Sequence, residues 1–201
     1  MTGRTIEELA VGDSAEMTRV VTAETVHEFV EATGDRNPLH SDPAFAATTR
    51  FGRVIAPGLL SGGLLSAVIG TRLPGPGVVY LSQSLKFLKP VHLGDAITAR
   101  VEVSEVIRER NRLCLRTICV NQEGAVVLEG EAWVMPPKAR VEYAAGTTTP
   151  RRQPVGAYTP AAFGIQVMSL WVAGGLALAE QAVRLCRLAV PRPGEADPVR
   201  S

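Results

Sequence analysis

A chain of 201 residues, 46% of them hydrophobic, is long enough to bury one ordinary core without disulfides and leaves room for an appendage. Twenty-one basic residues against twenty acidic ones give a net charge of +1, which excludes nucleic acid captured by bulk charge. Cys114, Cys119 and Cys186 show neither metal spacing nor an even-numbered framework and read as small buried hydrophobes of a reducing compartment, so no metal centre is expected.

Residues 1–14 carry Arg4, Glu7, Glu8 and Asp13 with no apolar run, so no signal peptide is read and a cytoplasmic location is expected. An approach segment ends at the Val11-Gly12-Asp13 turn, and a short strand runs from Met17 to Val21. Thr22 caps a helix with Glu24 in its first turn and an apolar stripe of Val26, Phe29 and Val30, ending at Gly34. His27 on this helix is read as surface or core-edge, without a chemical role.

Beyond that helix lies Gly34-Asp35-Arg36-Asn37-Pro38-Leu39-His40-Ser41-Asp42-Pro43, which places a carboxylate and an imidazole five residues apart. An Asn-Pro step cannot continue a helix, so Asp35 and His40 sit on irregular backbone, where positioned polar groups serve function more often than packing. Both can be tuned to titrate near working pH and can divide acid and base roles. The plainer reading has Asp35 capping local N–H groups, Asn37-Pro38 shaping a turn and His40 on the surface.

Asp42-Pro43 starts a short helix through residues 44–47. After a connector, Pro57-Gly58 leads into a helix over Leu59 to Gly70 with no formal charge, which predicts burial on all sides. Its Gly62-Gly63 pair points to close approach of another backbone or a ligand. Four alternating runs follow the loop Leu73-Pro74-Gly75-Pro76-Gly77: Val78 to Leu88, Ala96 to Ile107, Leu113 to Asn121 and Ala125 to Met135. Their short turns predict an antiparallel meander, with Val79, Leu81, Gln83, Leu85 and Phe87 sharing one face of the first run. The expected fold class is α+β, an antiparallel sheet wrapped around a central buried helix.

The composition changes at Pro136, so the domain is read as 1–136 and a Pro/Thr-rich linker as 137–158. A C-terminal apolar helix is read over 159–190 and a disordered tail over 191–201. Residues 161–179 carry no formal charge, a length that just reaches the ~20 residues needed to cross a bilayer. Gln166, Ser169 and Gly174-Gly175 weaken a spanning reading without removing it, beside a helix packed in an oligomer or one lying on a lipid, granule or membrane surface.

The loop residues 34–46, with Leu73 to Gly77 and Ser84-Leu85-Lys86-Phe87, resemble the MaoC-like (R)-specific enoyl-CoA hydratases of the hotdog fold over about residues 5–136. The resemblance implies a single hotdog domain, a homodimer and an acyl-CoA substrate, with Asp35 and His40 as the catalytic pair. It implies the Gly58 backbone N–H as oxyanion donor, and Asn37 and Pro38 as loop-shaping residues. Ser61, Gly63 and Lys86 are the candidate substrate contacts. Some members carry a serine at the position of Gly63, and Ser61 and Ser66 lie out of that register. No metal or redox cofactor is implied, because the substrate's own thioester acidifies C2. The product would enter fatty-acid oxidation or polyhydroxyalkanoate supply. A 3-hydroxyacyl dehydratase acting on acyl carrier protein is the enzymatic alternative, and a granule- or membrane-associated scaffold on the same fold is the non-enzymatic one.

Overall fold

The protein is described from a computed structural model, over residues 1–144. Strand β1 (Thr2–Gly3) is followed by β2 (Ser14–Val20), helix α1 (Ala23–Thr33), the short α2 (Pro43–Ala47) and the central α3 (Gly58–Thr71). Then come β3 (Val79–Gln83), β4 (Lys86–Phe87), β5 (Ala96–Ile107), β6 (Arg112–Val120), β7 (Val126–Met135) and β8 (Val141–Glu142). The main sheet is antiparallel in the order β2-β5-β6-β7-β3, with β4 also on β7. Residues 141–142 pair with residues 2–3, so ordered pairing continues past Met135. The linker beyond residue 144, the apolar run 159–190 and the tail 191–201 lie outside the described residues.

Alternation in the long strands builds the core. Ile97, Ala99, Val101 and Val103 of β5 are fully buried, while Arg100 between them is exposed. Registers set Val103 opposite Leu115 and Leu115 opposite Ala132, so one face of the sheet is continuous and apolar. Helix α3 packs on that face against β5, β6 and β2, burying Leu60, Leu65, Val68 and Ile69. Each such side chain contributes about 1.5–3 kcal/mol of burial, enough to hold a helix that carries several glycines.

Three expectations are corrected. The first alternating run does not lie beside the second: it crosses to β7 and forms the far edge, so only β5, β6 and β7 make a meander. That run is also broken into β3 and β4, with a register shift between Tyr80 and Ser82 that moves the alternation by one residue. Val79 and Leu81 are therefore exposed, at 48% and 38%, while Tyr80 and Leu85 pack on the core. Gln83 turns inward as well, where it donates to Thr117 Oγ1 at 3.1 Å and accepts from the Tyr80 hydroxyl at 3.1 Å; burial pushes the Tyr80 phenol up to about 12. Helix α3 is not covered on every side: Leu59 is 61% exposed, and Gly63 and Ser66 follow it on the same open stripe.

Candidate active site

Local signals deliver the loop as the sequence predicts. Thr22 Oγ1 accepts the Thr25 N–H at 3.1 Å to open α1, and Gly34 ends the helix at φ 72°, in the left-handed region that favours glycine. Asp35 follows at once. Its Oδ1 accepts the Asn37 N–H at 3.0 Å, and Asn37 Oδ1 accepts the Leu39 N–H at 3.1 Å, capping a 3-10 turn over Pro38–His40. From the other side, Asp42 Oδ1 accepts from Ala44 and Phe45 at 2.9 and 3.0 Å to start α2. The loop is thus pinned at both ends and in the middle.

The Asp35 carboxylate and the His40 imidazole meet there, with Oδ2 and Nε2 3.7 Å apart. His40 Nδ1 lies 2.7 Å from the Ile55 carbonyl, and Leu39 O accepts the Ile55 N–H at 3.2 Å. A carbonyl can only accept, so Nδ1 carries a proton and donates it, and Nε2 is the ring nitrogen turned toward Asp35. The connector over residues 54–56 is held on its other flank by Val91 O, which accepts the Ala56 N–H at 2.8 Å, and by His92, whose Nδ1 lies 3.2 Å from Val54 O. Sequence reasoning missed His92: with Val91 and Leu93 beside it, nothing local marks it, and its partner lies 38 residues away.

Gly58 is the first residue of α3, whose first amides have no intrahelical acceptor and whose dipole end is positive. A Cβ on Gly58 would fall 2.8 Å from the Phe87 ring, so glycine lets β4 close on the helix start. A cleft of about 250 Å³ runs past this point and is lined by His40, Gly58, Ser61 and Phe87, with Arg50 and Lys89 also on its wall. Ser61 is buried, and its carbonyl accepts the Cys119 Sγ–H at 3.6 Å. The glycine pair divides: Gly62 accommodates Leu85 Cδ1 at 3.2 Å from a built Cβ, whereas Gly63, expected as a substrate contact, faces open space and does not line the cleft. Lys86 is not brought to this cleft. It lines a separate depression with Arg116 and Glu131 and pairs with Glu129 at 3.1 Å. His27 lines a third hollow, beside Val26 and Val30, that His40 also borders. Among the described residues no cluster of three or more His, Cys, Asp or Glu is placed to hold a metal ion, and no helix is long and apolar enough to cross a membrane.

Comparison with known proteins gives this geometry a context. A 3-hydroxybutyryl-CoA dehydratase of Methylorubrum extorquens is 51% identical over 133 residues, covering 66% of this chain and 83% of that protein. An (R)-specific enoyl-CoA hydratase of Rhodospirillum rubrum is 44% identical over 131 residues, 65% of this chain and 90% of that one. The solved structure of an (R)-hydratase from Aeromonas caviae, described as involved in PHA biosynthesis, matches with a TM-score of 0.64 and 44% identity, over 65% of this chain and 99% of that one. An antiparallel sheet wrapped on a helix, with these relatives, defines an enzyme of the hydratase and dehydratase class, a carbon–oxygen lyase on the hotdog fold. The chain belongs to the MaoC like domain family, which matches it over residues 9–122.

Proposed function

We propose that the chain is an (R)-specific enoyl-CoA hydratase, which adds water reversibly to a trans-2-enoyl-CoA and gives the (R)-3-hydroxyacyl-CoA. The observation that carries this reading is the 3.7 Å separation of Asp35 Oδ2 and His40 Nε2 beside a cleft that holds the start of α3. That gap is too long for a direct hydrogen bond and fits a water bonded to both groups.

In this scheme Asp35 and His40 together hold the water and take one of its protons as its oxygen bonds C3. The C2–C3 π electrons pass to C2 and onto the thioester oxygen, giving an enolate that accepts the Gly58 N–H at the helix N-terminus. The pair then returns the proton to C2, so one water is consumed and nothing else is required. The thioester carbonyl is the electron sink, which is why the reaction calls for no metal or redox cofactor. Asn37 and Pro38 keep the loop in shape, and Ser61 faces the bound acyl thioester.

A homodimer accompanies this reading. It is supported by apolar side chains left open on the helix start and the outer strands, Leu59, Val79, Leu81 and Phe87, which a second copy would cover while hiding a sheet edge. The (R)-3-hydroxyacyl-CoA would supply polyhydroxyalkanoate synthesis or leave through fatty-acid oxidation. The test is hydration of crotonyl-CoA, followed by loss of enoyl absorbance with chiral analysis of the product. (R)-3-hydroxybutyryl-CoA is expected; the (S) product, or silence on short and medium enoyl-CoA alike, overturns the reading.

A further inference from the structure

We propose that Arg50 and Lys89 form a phosphate site at the rim of the cleft, holding the phosphorylated end of a pantetheine-borne thioester. The inference rests on the reading that this cleft takes an acyl thioester. Its lining divides by depth: Ala56, Ser61, Val127 and Leu128 are buried and make the floor, whereas Arg50 and Lys89 are exposed. An apolar floor under a cationic rim matches a ligand with an apolar acyl end and an anionic far end.

Two features suit this pair, already on the cleft wall, to an anion. The Arg50 guanidinium lies 4.8 Å from the Phe51 ring centroid, and such stacking restrains the side chain while leaving its N–H edge free for an anion. Among the described residues neither Arg50 nor Lys89 forms an ion pair, whereas Arg36 pairs with Glu31, Lys86 with Glu129, and Arg140 with Glu8 and Glu142. A paired cation must give up its carboxylate before it can bind phosphate. Lys86 is therefore set aside on two counts, its partner and its position on a different depression.

The phosphate can come from free coenzyme A or from the phosphopantetheine arm of a carrier protein. The experiment uses the full chain and the double variant Arg50→Gln/Lys89→Gln. Calorimetry first measures binding of coenzyme A and of phosphate-free pantetheine, which needs no turnover. KM is then compared for crotonyl-CoA, crotonyl-pantetheine and crotonyl-carrier protein at low and high salt. The wild type is expected to favour the coenzyme A compound over the pantetheine one, with a preference that falls as salt rises. The variant is expected to lose about tenfold of that preference, the effect of removing two partly exposed charge contacts. Loss with crotonyl-CoA assigns the site to the free coenzyme, and loss confined to the carrier-borne substrate assigns it to the carrier arm. Equal wild-type affinity for coenzyme A and pantetheine, or a variant that weakens both by the same factor, overturns the proposal. Variant-sensitive binding of coenzyme A without hydration of any enoyl thioester would keep the phosphate site and remove the hydratase reading.

Discussion

His40 and His92 each bond a carbonyl of one short connector through Nδ1: His40 that of Ile55 at 2.7 Å, His92 that of Val54 at 3.2 Å. Adjacent carbonyls of an extended segment point to opposite sides, so the two imidazoles grip the connector from either flank. Ile55 and His92 also form a β-bridge, which ties the Val91 to Asp95 turn to the loop that carries Asp35. The orientation of His40 thus depends on a residue far away in the chain.

His92 is expected to act as a positioning residue. In His92→Phe the Val54 carbonyl loses its donor and the connector gains freedom, which should lower kcat by about tenfold with little change in KM, as loss of alignment without loss of substrate contact does. His92→Asn, whose amide can donate, should recover part of the rate. An equal fall in both variants, with His40 nitrogen shifts in the NMR spectrum unchanged, would assign His92 to packing alone.

Asp35→Asn and His40→Ala test the reacting pair itself. Each is expected to lower kcat for crotonyl-CoA hydration by at least ~100-fold, the usual contribution of a positioned acid–base group. Asp35→Asn keeps the shape of the carboxylate and an oxygen for the Asn37 N–H, so circular dichroism should show an intact fold. The double variant should be little worse than either single one, because the two groups act on one water.

The part of the site legible in the sequence is the part built from neighbours. Thr22, Gly34, Asn37 and Asp42 each act within four residues, and each takes the capping or turn role its chemistry predicts. Strand β5 spans the residues its alternation marks, because one face is fully buried. What stayed hidden depends on distant chain. The pairing of β3 and β4 with β7, the register shift after Tyr80 and the partner of His92 are set by how the sheet closes on α3. The uncharged α3 reads as wholly buried, yet its stripe from Leu59 to Ser66 lies open, since an apolar sequence does not say which side another element will cover.

Asp95 predicts an acid-sensitive step. Burial pushes its carboxyl up, but the His92 N–H at 2.8 Å, the Gln122 amide at 3.0 Å and the nearby His92 and Arg53 outweigh it, so the group is held below its usual value of 3.8. A depressed carboxyl stabilises the fold above its unfolded pKa, and that contribution is lost as pH falls through the lower folded value. Denaturant midpoints should therefore fall below about pH 4, and less steeply in Asp95→Asn. Parallel curves for the two proteins would remove Asp95 from the acid response.

The run 161–179 gives a prediction from sequence alone. Removing residues 145–201, past the β1–β8 pairing, should leave hydration of crotonyl-CoA intact and abolish any sedimentation with phospholipid vesicles. Equal vesicle binding by both forms would detach the apolar run from a surface role.

Three glycines should respond to alanine in different ways. At Gly130 a Cβ would lie 1.9 Å from the Ser84 carbonyl oxygen, where the chain between β3 and β4 runs beside β7. Backbone cannot yield as a side chain can, because Ser84 N donates to Glu131 O at 2.9 Å and Glu131 N to Ser84 Oγ at 3.0 Å. Gly130→Ala should cost about 3 kcal/mol or more. At Gly58 the obstacle is the Phe87 ring, which is 52% exposed and can rotate. Gly58→Ala should therefore cost less than about 1 kcal/mol in stability while raising KM, since the displaced ring forms part of the cleft wall. Phe87→Leu in the same chain should relieve it. At Gly63 nothing lies within 4 Å of a Cβ, and the residue sits mid-helix, so Gly63→Ala should stabilise by about 0.5–1 kcal/mol. Urea midpoints for the three variants, read together, decide the ranking, and destabilisation at Gly63 equal to that at Gly130 would contradict the packing described for α3.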